Sequence, residues 1–440
     1  MKILICGASG FIGRHLAHTL RTAGHQIWHG ARHAEGPFAV PMDYRQDLQS
    51  AIWSNRVRAM DVVINAAGIL NGSETDFNAM HTAAPCALFD ACMQVGVKRF
   101  IQISALAPAA PATLPPFLAS KHAADAHMLA ASSAAQAAPA NPALRTHAMH
   151  CLIVRPSLVV GIDGASSQLF RSLASLPLLL LPGKGEQQVQ PVHIQDLCNA
   201  IKNWIAQAPT GSHILNAVGP QPISYRAMLA RYRSEMGLPA APCLPVPLPL
   251  MHAAGQLASR LPPSLCGMMG AALAPANLQM LEANNTAAPD AFTALLGQPQ
   301  LSRWLGALPA ACLRQAAIAA WATPLLKLSL ALLWWITAIV SAGLYPLADS
   351  LALLSPLGVP HAIALALLYG AAALDFSLGL ATLFWPSRRL WWLQIGLILG
   401  YTAIISLTLP AFWLHPFGPI LKNLPILALL FYLLAQETRP

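Results

Sequence analysis

An α/β domain on a doubly wound parallel sheet, followed by an all-α bundle of four transmembrane helices, is the architecture this sequence predicts. Three observations carry the prediction. Strand-like and helix-like segments alternate from the first residues onward. A turn with the pattern GxxGxxG joins the first strand to the first helix. Charge almost vanishes from residue 321 to the end.

The charge distribution sets the two parts. Charged residues make up 10% of the 440-residue chain, against about 25% in an ordinary soluble domain. Residues 321–440 hold only Lys327, Arg388, Arg389, Lys422, Arg439, Asp349, Asp375 and Glu437, and the other 35 charges lie in residues 1–320. The expected division is therefore 1–320 and 321–440. The formal net charge is +9, with no Lys/Arg run longer than two and no basic stretch interleaved with aromatics. Such a balance reads as a solvated basic surface near anionic lipid headgroups, with no nucleic acid expected as partner. The eight cysteines form no CxxC pair, so neither a zinc site nor a redox pair is expected, and reduced thiols fit best.

Residues 3–6 read as a buried strand. The four apolar residues are too few for a signal peptide, and Gly7, Gly10 and Gly13 interrupt them. Gly7 permits a tight turn, Gly10 lets backbone approach a pyrophosphate, and Gly13 lets the helix from about 11 to 23 pack on the strand. Ser9, Phe11 and Ile12 complete the turn and the helix start, whose N–H groups suit phosphates. The second strand, about 25–29, ends without the Asp or Glu that would bond a ribose 2′-hydroxyl. Arg32 follows it instead, with Arg14 as a second positive charge, so a 2′-phosphate and hence NADP(H) rather than NAD(H) is expected. Asp43 is expected to bond the adenine amino group. Next come a strand at 61–65 ending in Asn65-Ala66-Ala67-Gly68, a helix near 77–95, and a strand at 99–104 ending in Ser104. Ligands bind at such C-terminal strand ends. The Ala/Pro-rich segments 105–116 and 131–143 read as loops. Residues from about 161 to 320 read as a less regular substrate-side region, and no metal-ligand cluster or nucleophile triad stands out.

These motifs, with Arg155-Pro156-Ser157-Leu158-Val159-Val160-Gly161 and the stretch QPVHIQDL at 190–197, resemble the short-chain dehydrogenase/reductase superfamily. Within it, residues 1–300 are similar to the extended or atypical epimerase-like branch, which includes the NADPH-binding accessory subunit of respiratory complex I. The resemblance implies a Rossmann-type domain and a catalytic Tyr-x-x-x-Lys with an upstream Ser. Ser104 and Lys121 match that pattern, but Phe117 stands where the Tyr belongs. Phenylalanine cannot exchange a proton. No tyrosine lies between 45 and 224 to replace it. The resemblance still implies that Lys121 bonds the nicotinamide ribose and that Pro156 shapes the nicotinamide pocket. Lys121 could itself act as base, and the adjacent His122 reads as structural.

Four apolar stretches, roughly 325–346, 361–385, 390–409 and 418–436, are each close to the ~20 residues that cross a bilayer. The loop holding Arg388 and Arg389 is expected on the cytoplasmic side, which for an even number of spans places both termini there. Asp375 falls inside the second span, where a carboxylate must face the bundle interior or find a partner. Lys422 could snorkel to the interface or reach Asp375. The HPFGPxxKNLP stretch and the acidic residue carry a resemblance of residues 322–436 to the DoxX-like membrane family.

The functional expectation is a membrane-tethered, cytoplasm-facing NADP(H)-binding protein with oxidoreductase or epimerase-type activity on a lipid or quinone-like substrate. The alternatives are a non-catalytic sensor or assembly subunit of a membrane complex, and a membrane bundle regulated by the nucleotide domain.

Overall fold

Seven strands, all parallel, form one sheet. The computed structural model describes residues 1–33, 35–107, 114–137, 149–207, 211–260, 270, 272–282, 284–306, 308–354, 358–416 and 418–438. The strands of the sheet are β1 (Lys2–Cys6), β2 (Gln26–Ala31), β3 (Ala39–Pro41), β4 (Val62–Asn65), β5 (Arg99–Ile103), β6 (His150–Pro156) and, after four short ones, β11 (His213–Ala217). Their order across the sheet is β11-β6-β5-β4-β1-β2-β3. The short strands pair off outside it: β7 (Val159–Val160) with β10 (Val192–His193), β8 (Leu179–Pro182) with β13 (Cys243–Val246), and β9 (Gln188–Val189) with β12 (Ile223–Ser224).

The apolar runs of β1 and β4 fit a sheet covered on both faces. Successive side chains of a strand point to opposite faces. Ile3 and Ile5 accordingly join one core, with Leu16 and Leu20 of α1 (Phe11–Thr22). Leu4 and Cys6 join the other, with Trp53 of α2 (Ser50–Val57), Phe89 and Phe100. A third core holds Tyr232, Met228, Leu181 and Trp304 from the region after residue 157.

The strand order reverses at β1, which pairs with β2 on one side and β4 on the other. A crevice therefore opens beyond the C-terminal ends of β1 and β4, the ligand position in open sheets of this type.

Three local expectations change. The helix expected at 77–95 is α3 (Glu74–Phe77), a π-helical stretch Asn78–Ala83, and α4 (Ala84–Val95). Pro85 has no N–H to give to a carbonyl four residues back, which favours the widened turn before it. Residues 131–137, expected in a loop, complete α5 (Pro116–Ala137), since alanine is the best helix former. The rest of that loop, 138–143, and residues 108–113 of the other lie outside the described residues.

The chain divides into two units, the first Met1–Ala258 with Ala271–Ala317, the second Ser259–Gly270 with Ile318–Pro440. All four expected stretches contain a helix, and three of the helices are long and apolar enough to cross a membrane among the described residues: Ala310–Leu344, Ala362–Phe384 and Arg388–Thr408. The first begins 15 residues before its expected apolar stretch, at Ala310 rather than 325. The fourth apolar stretch yields only the 14-residue helix Asn423–Gln436, about 21 Å long against a hydrocarbon core of about 30 Å. Among the described residues before it, Pro410–Trp413 form a short 3-10 turn, and 414–416 and 418–422 are irregular or turns, in a stretch rich in proline and glycine. The C-terminal end of the short helix nevertheless meets Arg388, whose guanidinium donates to the carbonyls of Leu434 (3.3 Å) and Glu437 (3.4 Å). Lys327 pairs with Glu437 at 3.5 Å.

Inside the bundle, Trp334 Nε1 donates to Gln394 Oε1 (2.9 Å), and Gln394 Nε2 donates to Thr382 Oγ1 (2.9 Å). Asp375 is buried, and its Oδ1 has no hydrogen-bond partner among the described residues. Lys422 is exposed and makes no ion pair with Asp375.

Candidate functional site

The glycine turn sits at the point where the strand order reverses. Gly7 has φ +75°, and a Cβ there would stand 2.8 Å from the Ala67 backbone. The turn after β1 and the Ala66-Ala67-Gly68 turn after β4 are thus in backbone contact, which only glycine permits. A Cβ on Gly13 would run into the Gly7 carbonyl oxygen, so that glycine lets α1 close down on the turn. Gly10 is the N-cap of α1, and no side chain caps the helix. The first N–H groups, including those of Phe11 and Ile12, have no partner within the helix and face the crevice end with the positive pole of the dipole. Ser9 is exposed in the turn. This cradle fits a pyrophosphate.

Around it the other expected residues take two kinds of position. Arg32 is exposed in the turn just beyond β2. Asp43 stands after β3 and accepts the Arg45 N–H at 3.0 Å. Arg14 reaches Asp163 Oδ2 through both Nε at 2.9 Å and Nη2 at 2.6 Å, and His15 Nε2 lies 3.0 Å from the other oxygen of that carboxylate. Asn65 is fully buried and braces the strand ends: its Oδ1 accepts from Tyr44 Oη (2.7 Å) and the Ala67 N–H (3.2 Å), and its Nδ2 donates to Gln102 (2.8 Å).

Ser104, Phe117 and Lys121 come together where β5 ends and α5 begins. Lys121 is buried, and its Nζ donates to the Ile103 carbonyl at 3.0 Å. Burial pushes its ammonium down to about 8, although Asp125, one helical turn on, pulls the other way. A Cβ on Gly68 would stand 3.4 Å from Lys121 Nζ, so the ammonium borders the turn after β4. Ser104 Oγ donates to Asp125 Oδ2 (2.8 Å), which also accepts from Arg155 Nε (2.9 Å). The Phe117 ring lies 5.7 Å from Lys121 Nζ, in an apolar cluster with Phe77 and Leu118. The Pro156 carbonyl accepts the Leu106 N–H at 3.0 Å, so it ties β6 to the segment after Ser104. His122 Nε2 donates to the Ala105 carbonyl at 2.9 Å.

Two members of this cluster carry no sequence signal of their own kind. His81 sits against Phe117 with ring centroids 5.3 Å apart. Its Nε2 accepts the Ile69 N–H (3.1 Å), so Nδ1 carries the proton and donates to Ser120 Oγ (3.0 Å), which donates to the Phe117 carbonyl (3.0 Å). Burial, reinforced by the Lys121 charge, holds this imidazole down to about 3. Asp125 is the other. Its i+4 spacing from Lys121 is visible in the sequence, but its pairing with Ser104 and Arg155 is not. Among the described residues no group of three or more His, Cys, Asp or Glu could hold a metal ion.

Residues 3–217 match the NAD dependent epimerase/dehydratase family, and residues 331–431 match the DoxX-like family. The chain joins an epimerase/dehydratase-family domain to a DoxX-like membrane domain. Among solved structures, the UDP-glucose 4-epimerase of Thermus thermophilus, a complex with NAD, is similar at 19% identity and TM-score 0.50, over 71% of this chain and 99% of that one. The UDP-N-acetylglucosamine 4-epimerase of Bacillus cereus is similar at 13% identity and TM-score 0.50, over 72% of this chain and 96% of that one. At these identities the likeness shows the fold. No curated protein matches the chain.

Proposed function

We propose that this epimerase/dehydratase-family domain binds a dinucleotide, NADP(H) in preference to NAD(H), and acts as an oxidoreductase or epimerase-type enzyme on a lipid or quinone-like substrate at the membrane. The observation that carries the reading is the uncapped start of α1, closed by Gly7 and Gly13 onto the turn after β4 at the strand-order reversal. Gly7, Ser9, Gly10, Phe11, Ile12 and Gly13 would hold the pyrophosphate, Asp43 the adenine end, and Lys121 and Pro156 the nicotinamide end. Arg32, exposed beyond β2, supports the 2′-phosphate preference. Arg14 supports it less, because Asp163 already neutralises it.

The nicotinamide, when bound, supplies hydride transfer. The chain itself must hold the proton that accompanies it. Lys121, held down to about 8, is the group in this cluster able to gain and lose a proton near neutral pH.

A domain that precedes two spans lies on the same side as the loop that follows them. Arg388 and Arg389 in that loop support a cytoplasm-facing nucleotide domain. The bonds from Arg388 to Leu434 and Glu437 support return of the C-terminus to that side.

A second reading has its own observation. Phe117 offers no proton, and Ser104 spends its hydroxyl on Asp125. A non-catalytic NADP(H) sensor or assembly subunit of a membrane complex needs neither group.

Titration of the full-length protein in detergent with NADPH and NADH tests the binding proposal. Arg32→Ala is expected to weaken NADPH about tenfold more than NADH, the size of one charge-assisted contact. Equal losses remove the 2′-phosphate argument. Tight binding without NADPH oxidation by quinones or lipid carbonyls would favour the sensor.

A further inference from the structure

Arg171 lies on the helix Ala165–Ala174, directly after the segment that packs on the glycine turn. Gly161 and Gly164 flank that segment, and a Cβ on either would stand 2.9 Å from the Phe11 ring. The Arg171 side chain is 6% exposed. A guanidinium has five N–H donors and stays charged in proteins. Here its one hydrogen bond among the described residues is a long one, from Nη1 to the Gly161 carbonyl at 3.5 Å.

It has no ion pair either among the described residues. Asp163 is within electrostatic reach, yet its two carboxylate oxygens are taken by Arg14 and His15. Glu235, on the helix Tyr225–Glu235, is bonded to Arg231 and to the N–H groups of Trp304 and Leu305. The other buried arginine among the described residues, Arg233, is satisfied by the carbonyls of Leu176 and Pro239, and the half-buried Arg155 by Asp125. Arg171 Nε and Nη2 make no hydrogen bond among the described residues and are not sealed from solvent, so they are open to an anion supplied from outside. Hydroxyl groups line the same place. Ser167 Oγ accepts the Gly161 N–H at 3.1 Å, and Tyr232 Oη is 3.4 Å from Ser167 Oγ.

We propose that Arg171, with the Ser167 and Tyr232 hydroxyls beside it, binds an oxyanion, a phosphate or carboxylate. This deepens the proposed function by giving its ligand a negative charge, and it rests on that reading only for which molecule carries the charge. The oxyanion belongs either to an acidic substrate such as a lipid phosphate or to the dinucleotide. The planar guanidinium fork suits either group.

The test uses the full-length protein in detergent and inorganic pyrophosphate as probe, with NADPH titrated in parallel. Arg171→Met is expected to weaken pyrophosphate at least about tenfold, and Arg171→Lys by less, because a lysine keeps the charge but not the fork. Thermal melting checks that each variant is folded. If Arg171→Met does not fold, Arg171→Gln, which removes the charge and keeps donors, takes its place. NADPH affinity unchanged in these variants assigns the oxyanion to the substrate, and a parallel loss assigns it to the cofactor. Both results support the site. Pyrophosphate that fails to bind the native protein, or that binds a folded Arg171→Met or Arg171→Gln variant equally well, overturns it. Arg171-dependent pyrophosphate binding in a protein that does not bind NADPH would leave this site standing and remove the dinucleotide reading.

Discussion

The Ser104 hydroxyl donates to the Asp125 carboxylate at 2.8 Å, inside the domain and one strand away from Arg155. A serine expected to orient a substrate oxygen thus helps satisfy a fully buried acid, one oxygen of which has no hydrogen-bond partner among the described residues.

Ser104→Ala is therefore expected to lower stability by about 1.5–3 kcal/mol, the range for a hydrogen bond to a charged group. NADPH affinity should stay within about twofold, as expected for a change that touches no phosphate contact. Denaturant unfolding and cofactor titration read the two effects. An unchanged stability with lost turnover would show that the hydroxyl serves the substrate instead.

Phe117→Tyr places a phenol one helical turn before Lys121, whose Nζ is 5.7 Å from the present ring. If the rest of the site is competent, NADPH-dependent turnover should rise by about 10²-fold or more, the usual worth of a positioned acid/base. Stopped-flow oxidation of NADPH with quinone and lipid-carbonyl acceptors measures it. No gain, in a variant that still binds NADPH, would count for the sensor reading.

His81 is held down to about 3, below its ordinary 6.5. Between those values the unfolded chain binds the extra proton and the folded one does not, so stability rises with pH through this window. It is fully present above about 6.5 and is lost as pH falls toward 3. His81→Gln, whose amide oxygen can still accept the Ile69 N–H, should flatten that acid-side slope in melting curves. A slope identical to the native protein's would contradict the assignment.

Lys121 works at the other end of the scale. Its folded value is about 8 against an ordinary 10.5. Between the two, the unfolded chain again binds more protons, so the first unit should gain stability as pH rises from about 8 to 10.5. Below about 8 both states are charged and the penalty of the buried ammonium is fully present. Lys121→Met should be more stable than the native protein at pH 7 and should lack the gain at high pH. Thermal melts across that range decide it, and parallel curves for the two proteins would refute it.

Much of this protein was legible locally. Strand and helix periodicity, the GxxGxxG turn and the loss of charge after residue 320 are properties of neighbouring residues. They were enough for the parallel sheet, the uncapped α1 and a membrane part, because a short stretch of chain already determines backbone freedom and the need to bury apolar surface. The fourth apolar stretch is also a helix, but only 14 residues of it, because Gly418 and Pro419 lie in its first part.

Partnership was not legible. His81 meets Phe117 and Ser120 from about 40 residues away, and Asp125 meets Arg155 from the next strand. Nothing near Arg171 marks it as unpaired, because that depends on Asp163 being drawn to Arg14 across some 150 residues. The sequence alone determined the kinds of element and the glycine cradle, since these depend on local geometry and hydrophobicity. Only the tertiary structure decided that Ser104 faces Asp125 and that Arg171 has no counter-ion among the described residues. The strength of a buried charge or hydrogen bond depends on what other parts of the chain bring within about 3 Å of it.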